Sequence, residues 1–412
     1  MSQPYEPMPK ITRQVPKLSE LKPLLGFQGP TLKPAARRLS RAFTIADLRK
    51  IAKRRTPRSV FDYTDGAAED ESSLARSRDL FTQVEFEANV LRDISKVNLE
   101  TTILGGPSSL PIALAPTGFT RMMHYQGETA VAHEANNARI PYSLSTMGTT
   151  SIEEVAKLTP DTQRYFQLYV WNDREASTAL IERARDAGYQ ALILTVDTAV
   201  AGNRRRDVRN GLTIPPKLTP STFADMAMHP SWWANLLTTA PLEFASLTNW
   251  EGTVAEMINK MFDPTVSFED VAWLRSIWPG KLVVKGIQSL EDSQRALDVG
   301  ADALLLSNHG GRQLGRARPP LRLLPEARRK LGDDVEIFID GGIMGGEDVI
   351  ACLALGADAA FIGRAYLYGL MAGGYLGVRR AIDILRTEMR RTMQLLGVSD
   401  VKDLGPQHVH LT

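Results

Sequence analysis

Residues 304–312 read Leu304-Leu305-Leu306-Ser307-Asn308-His309-Gly310-Gly311-Arg312. The apolar run from Ala303 to Leu306 has the length and composition of a fully buried strand. It breaks at once into a loop carrying a histidine, two glycines and an arginine. An imidazole exchanges protons near neutral pH, and paired glycines let the backbone turn sharply beside a ligand. A guanidinium three residues past the histidine can hold a carboxylate through two parallel hydrogen bonds. Alone, the histidine would be a core residue capping a turn; its neighbours make it a base beside an anion clamp.

The same pattern recurs along the chain. Apolar runs break into small or chemically active residues at Ala115-Pro116-Thr117-Gly118, Leu144-Ser145-Thr146, Phe166-Gln167-Leu168-Tyr169 and Leu194-Thr195-Val196-Asp197. It continues at Val284-Lys285-Gly286, Leu306-Ser307, Ile339-Asp340-Gly341-Gly342 and Ile362-Gly363-Arg364. Eight such strands alternating with helical stretches predict a closed (β/α)8 TIM barrel, whose reactive groups gather where the strands end. A purely structural barrel has no need of polar residues confined to those ends. An open doubly wound sheet would favour a glycine-rich turn after its first strand, which is absent here. Gly300-Ala301-Asp302-Ala303 and Gly356-Ala357-Asp358-Ala359 form a short internal repeat at the helix-to-strand turn.

Before the barrel, residues 1–40 read as an irregular, proline-punctuated arm and 41–412 as the barrel with an N-terminal helical extension. Thr44, with Asp47 three positions on, predicts a capped helix start. Nearly ninety residues separate Asp197 from Lys285, so a long insertion, about 211–265, is expected after the fourth strand. Insertions of that size are lids or partner surfaces. Its Trp232-Trp233 pair reads first as packing against the barrel and second as a dip into a membrane interface.

Composition narrows the class further. The chain has 412 residues, 43% hydrophobic and 23% charged, with a net charge of +2, which supplies a large core and no basic excess for nucleic acid. One cysteine, Cys352, excludes an intrachain disulfide. No apolar run reaches bilayer length and no leader opens the chain. The expected location is cytoplasmic, or peripheral on the cytoplasmic membrane, and no metal is expected.

The last two strands occupy the phosphate position of such barrels. Asp340-Gly341-Gly342 and Gly363-Arg364 there offer unobstructed backbone N–H groups and a cation. Lys285, deep at a strand end, needs an anionic partner; a reduced flavin, negative near N1, is one. Ser145, Gln167 and Thr195 suit the polar edge of a heterocycle, though each taken singly is an ordinary core polar group.

Together these residues, with Asp62-Tyr63 and Gly66-Ala67-Ala68-Glu69-Asp70, resemble the FMN-dependent α-hydroxy acid dehydrogenase/oxidase family over roughly residues 40–410. Ser307-Asn308-His309-Gly310-Gly311-Arg312-Gln313 is the most specific of the motifs. Details such as the insertion and Asp340-Gly341-Gly342-Ile343-Met344 look nearest the bacterial quinone- or cytochrome-linked L-lactate dehydrogenase branch. The resemblance implies His309 as base, held by Asp197, with Arg204, Arg312 and Tyr63 on the substrate carboxylate and Tyr169 at the hydroxyl. It implies Lys285 beside the reduced flavin. Pro116, Thr117, Gly118, Ser145, Gln167, Thr195 and Ser307 would surround its ring and ribityl chain, and Asp340, Gly341, Gly342, Gly363 and Arg364 its far end. A small L-2-hydroxy acid, most simply L-lactate, is the implied substrate, quinone or cytochrome the acceptor, and a tetramer the assembly.

Three positions depart from the family. Met344 stands where many members place a phosphate-binding arginine, Gly118 where many oxidases have alanine, and Met147 where some relatives carry an aromatic residue. An oxidase delivering electrons to O2 and releasing H2O2 is the alternative activity; a flavin-binding barrel without turnover is the alternative class. The latter has little reason to keep His309, Asp197, Arg204, Arg312, Tyr63 and Tyr169 together.

Overall fold

The computed structural model describes residues 14–21, 34–211, 220–240, 242, 244–245 and 263–412. Most of the expected arm (1–13 and 22–33) and much of the insertion (212–219, 241, 243 and 246–262) lie outside the described residues.

Eight parallel strands close into a barrel: β1 (Ile112–Leu114), β2 (Tyr142–Ser145), β3 (Arg164–Leu168), β4 (Ala191–Thr195), β5 (Lys281–Ile287), β6 (Ala303–Leu306), β7 (Glu336–Ile339) and β8 (Ala359–Ile362). Each pairs with the next, and β8 returns to β1 through Ala360 beside Ile112 and Ile362 beside Leu114. Side chains alternate across a strand, so one set fills the barrel and the other meets the helices. Ala113, Tyr165, Ile193, Val283, Leu305, Phe338 and Phe361 form one buried cluster; Ile112, Leu114, Phe166, Leu192, Leu194 and Leu304 belong to the larger one. Both faces are dry, which is why the strands read as unbroken apolar runs. A two-stranded ribbon, Thr101–Ile103 with Gly106–Ser108, adds Ile103 and Leu104 to the inner cluster. It is pinned at the amino end of β7 by the Leu104 N–H, which donates to Glu336 (2.8 Å).

The internal repeat has a structural meaning. Asp302 accepts from the Leu282 N–H (2.8 Å) and from Arg275 (2.7 Å), and Asp358 accepts from the Ile337 N–H (2.7 Å) and from Arg328 (2.6 Å). Each aspartate thus satisfies the N–H of the second residue of the preceding strand and ties down the helix before it. Orphan donors at strand starts are costly when buried.

Among the described residues five helices precede the barrel, and the expected start holds: Thr44 caps the helix Ile45–Arg55 in a capping box with Asp47. Leu39, at the end of helix Pro34–Leu39, is buried in the main core, so packing begins just before residue 40. Helix Arg58–Asp65 carries Tyr63 and Asp65 to the barrel mouth, and Ser73 and Ser77 of Ser72–Phe81 accept hydrogen bonds from the Asn308 amide. In the insertion, Trp232 is buried and its indole N–H donates to the Met122 carbonyl (3.0 Å). Trp232 therefore packs against the barrel; Trp233 is half-buried beside it. Among the described residues no helix is long and apolar enough to cross a membrane.

One carboxylate joins these additions. Asp65 accepts from Arg49 (2.5 and 2.8 Å), from Arg206 (3.0 Å) and from the Tyr368 hydroxyl (2.8 Å). Burial pushes its pKa up, but Arg49, Tyr368 and Arg206 together hold it below the ordinary carboxylate value. A depressed folded-state pKa gives stability present above the unfolded value and lost as pH falls through the folded one. We expect Asp65→Asn to cost about 3 kcal/mol near neutral pH. Denaturant titrations at about pH 7 and about pH 3 should show that difference shrinking on acidification.

Candidate active site

At the carboxyl end of β6 the chain turns through three successive left-handed residues, His309 (φ 56°), Gly310 (φ 62°) and Gly311 (φ 77°). Such a conformation is rare for a non-glycine residue and marks a site held in place by its surroundings. The Asn308 side chain accepts from the Gly311 N–H (3.1 Å), and Ser307 Oγ accepts from the His309 N–H (3.0 Å). This geometry aims the imidazole at Asp197, on the loop leaving β4, with Nδ1 and Oδ1 2.9 Å apart. With Nδ1–H donated to the carboxylate, Nε2 is the free base. Burial pushes the Asp197 pKa up, but His309 and Lys285 outweigh it and hold the carboxylate ionised. Gly286 makes the approach feasible: a Cβ there would stand 2.8 Å from both Cβ and Cγ of Asp197.

Lys285, toward the carboxyl end of β5, is almost fully buried, with Nζ 3.0 Å from Ser307 Oγ and 3.3 Å from an Asp340 oxygen. Burial alone would lower its pKa; Asp340 and Asp197 raise it above the ordinary value, so the ammonium is permanent. Tyr63 sits between two cations, with the guanidinium carbons of Arg312 and Arg204 at 4.8 and 5.2 Å from its ring centre. Arg312 also donates to the Tyr63 carbonyl, and Arg204 is 3.3 Å from Asp207. Burial, and then the neighbouring Arg204, push Arg312 down to about 10. Two crowded guanidiniums of this kind are relieved by an anion.

A cavity connects these groups. Its walls include Tyr63, Tyr169, Arg204, His309 and Arg312 on one side, and Pro116, Thr117, Gly118, Ser145 and Lys285 on another. Asp340, Gly341, Gly342, Gly363 and Arg364 form its far end. Gln167, Thr195, Ser307 and Asp197 are not walls but stand just behind them. Gln167 Oε1 accepts from Ser145 (2.9 Å), which leaves its Nε2 buried without an acceptor; Thr195 Oγ1 and Asp340 Oδ1 are likewise unpartnered. Buried polar atoms without partners are rare, and these lie where a flavin's polar edge and chain were expected. The residues present fit FMN.

Three details differ from the sequence reading. The Arg364 guanidinium donates to the carbonyls of Thr64, Gly66 and Gly310, bracing the end of helix Arg58–Asp65 against the β6 loop. The helix Arg364–Gly373 begins at these cavity-lining residues, and the N–H groups of a helix amino terminus favour an anion. Gly118 does more than leave room, since a Cβ there would meet the Met147 Cβ at 2.7 Å. Sequence reasoning also missed Gln313 as a brace. Its amide donates to the carbonyls of Asp197 and Val200 and accepts from the Gly202 N–H, clasping the β4 and β6 loops together. Its adjacency to Arg312 was the available signal.

Comparisons with known proteins agree with this geometry. The family model for FMN-dependent dehydrogenases matches residues 52–411. A Mycobacterium tuberculosis protein, provisionally named an L-lactate dehydrogenase, is 54% identical over 97% of this chain and 96% of its own length. The (S)-mandelate dehydrogenase of Pseudomonas putida is 37% identical over 89% of this chain and 93% of its own. The crystal structure of a monotopic membrane protein, (S)-mandelate dehydrogenase, superposes with a TM-score of 0.87 at 36% identity, covering 90% of this chain and all of that one. With its closed barrel and these matches, the chain belongs to the family of FMN-dependent dehydrogenases.

Proposed function

We propose that this FMN-dependent enzyme oxidises L-lactate to pyruvate and passes the electrons to a quinone or a cytochrome. The observation that carries the reading is the His309–Asp197 pair, at 2.9 Å, facing the same cavity as the Arg204 and Arg312 guanidiniums. Relatives named L-lactate dehydrogenase support the choice of acid; one from Vibrio parahaemolyticus is 38% identical over 87% of this chain.

In this reading Arg312 and Arg204 hold the lactate carboxylate, and Tyr63 fixes the angle between them. That clamp turns the substrate so that its reacting carbon faces His309 and its hydroxyl faces Tyr169. Burial and the Asp197 charge raise the Tyr169 pKa, so its phenol stays protonated and able to donate to the hydroxyl oxygen as that becomes a ketone. His309 Nε2 takes the proton leaving the substrate. Asp197 stabilises the imidazolium that results. FMN, when bound, supplies the two-electron acceptor. Pro116, Thr117, Gly118, Ser145, Gln167, Thr195 and Ser307 would hold its ring and chain, and Asp340, Gly341, Gly342, Gly363 and Arg364 would hold its phosphate end. The buried Lys285 ammonium would supply a positive charge to offset negative charge developing on the bound group.

The insertion supports contact with a membrane surface from the cytoplasmic side: Phe223, Met228 and Leu237 are exposed there. A tetramer completes the proposal, and sedimentation velocity tests it. An acceptor other than O2 predicts that stopped-flow mixing of reduced enzyme with O2 gives slow reoxidation. Rapid reoxidation by O2 would make the enzyme an oxidase.

We expect His309→Gln to retain FMN while its anaerobic bleaching by L-lactate slows roughly a hundred- to ten-thousand-fold. Normal bleaching would remove His309 as the base. Lys285→Met leaves Asp340 and Asp197 without their shared cation, and should weaken FMN binding about tenfold or more, read by flavin fluorescence on titration of the apoprotein. Among L-lactate, glycolate and L-mandelate, L-lactate should bleach the flavin at the lowest concentration.

A further inference from the structure

Beside the FMN cavity lies a second one, of about 280 Å3, at the base of the insertion. Met123 lines both cavities and is itself buried, so the two spaces share a wall at this residue. The second cavity is assembled from separated stretches of chain: helices Pro34–Leu39 and Ile45–Arg55, the loop after Met123, the insertion helix Pro230–Leu237, and the turn between the last two long helices. The Trp232 hydrogen bond to the Met122 carbonyl fixes the insertion helix directly on the segment that divides the two spaces.

Its chemistry is unusual for a packing void. Tyr125, Trp232 and Tyr375 supply aromatic surface, and Met123 and Met371 supply thioethers. Against these stand two arginines without an acid. Arg38 donates to the Ala372 carbonyl (3.0 Å) and keeps a buried Nε with no acceptor, while Arg55 donates to Ser231 Oγ (3.0 Å). Neither has a carboxylate within ion-pair distance among the described residues. His124 lines the same space, and its Nδ1 accepts from the Gln126 N–H (3.3 Å), which leaves the ring proton on Nε2. Burial, with Arg55 and Arg38, lowers its pKa to about 4, so the ring is neutral and a donor at physiological pH. Cationic and N–H donors thus stand beside aromatic and thioether surface, with Thr56, Gln126, Ser231 and Asn235 completing the polar lining.

The complementary ligand is a flat, neutral ring whose oxygens accept hydrogen bonds and gain negative charge during reaction. We propose that this second cavity docks a quinone head group, which is reduced across Met123. The inference rests on the dehydrogenase reading above and names the place where its acceptor is served. The quinone gains two electrons from the reduced cofactor, one proton that leaves with them and one proton from water. It departs as quinol, and the cofactor is left oxidised. The arginines stabilise the developing oxyanions, and the aromatic walls hold the ring.

The test uses the FMN-loaded enzyme with tetramethylbenzoquinone as probe and two variants outside the hydroxy-acid site. Arg55→Ala removes a donor; Asn235→Phe, on the insertion helix, fills the space. Circular dichroism and thermal unfolding confirm that each variant is folded. Anaerobic reduction by L-lactate, and reoxidation by ferricyanide, should stay within about twofold of the parent. Reoxidation by tetramethylbenzoquinone should slow about tenfold or more, and saturable quenching of tryptophan fluorescence by the quinone should be lost. Unchanged quinone reoxidation and quenching in both variants overturns the proposal. Quenching reversed by inorganic phosphate, without a parallel slowing of quinone reoxidation, marks an anion site and also overturns it. A parent enzyme that reacts with O2 but not with the quinone fails differently, because it removes the underlying acceptor reading.

Discussion

A buried ammonium, that of Lys285, sets the terms for the whole mouth of the barrel. An unpaired cation at such depth is prohibitively costly, and a pair helps only when the remaining hydrogen bonds are also met. Asp340, Asp197 and Ser307 meet them, from the ends of β7, β4 and β6. The same Asp197 orients His309, and the same Ser307 accepts the His309 N–H. Base, electrostatic stabiliser and three strand ends are thus one coupled unit. Its geometry requires the barrel to be closed, because no two of these residues are near in sequence except Ser307 and His309.

Around that unit the positive charge is arranged to be incomplete. Arg204 and Arg312 both lie against the Tyr63 ring, and burial together with the neighbouring Arg204 depresses Arg312. An active site built this way favours a carboxylate over a neutral ligand before any shape is considered. The cost of crowding is borne by the outer network, where Asp65 gathers Arg49, Arg206 and Tyr368, and where Arg206 also pairs with Glu71 and Asp62. Removing the N-terminal helices would therefore do more than expose core: it would release the segment from Arg204 to Arg209 that presents the clamp.

The insertion is tied to the cofactor side of the molecule at several points, among them Arg121 donating to the Ala240 carbonyl, the Ala245 N–H donating to the Gly148 carbonyl and Phe119 packed on Phe244. Trp232 binds the Met122 carbonyl, and Met123 borders both cavities. That continuity gives the length between β4 and β5 a physical role at the reaction's second half, beyond covering the barrel mouth.

Much of this was legible in the chain. Strands covered on both faces must be apolar throughout, so polar residues can appear only where they end, and their clustering there displayed both the barrel and the candidates His309, Lys285, Asp197 and Arg312. The loop Ser307–Arg312 was readable because its parts are contiguous. Other features were hidden. Asp197 meets His309 across 112 positions, Gln167, Thr195 and Ser307 stand behind the cavity wall, and the Arg364 guanidinium serves backbone carbonyls. The second cavity draws on stretches with no common motif. The sequence by itself determined the fold class and the inventory of reactive groups, because periodicity and strand-end chemistry are local properties. Only the tertiary structure decided which groups touch, which atoms lack partners and which spaces share a wall, because those follow from barrel closure and from the packing of distant helices upon it.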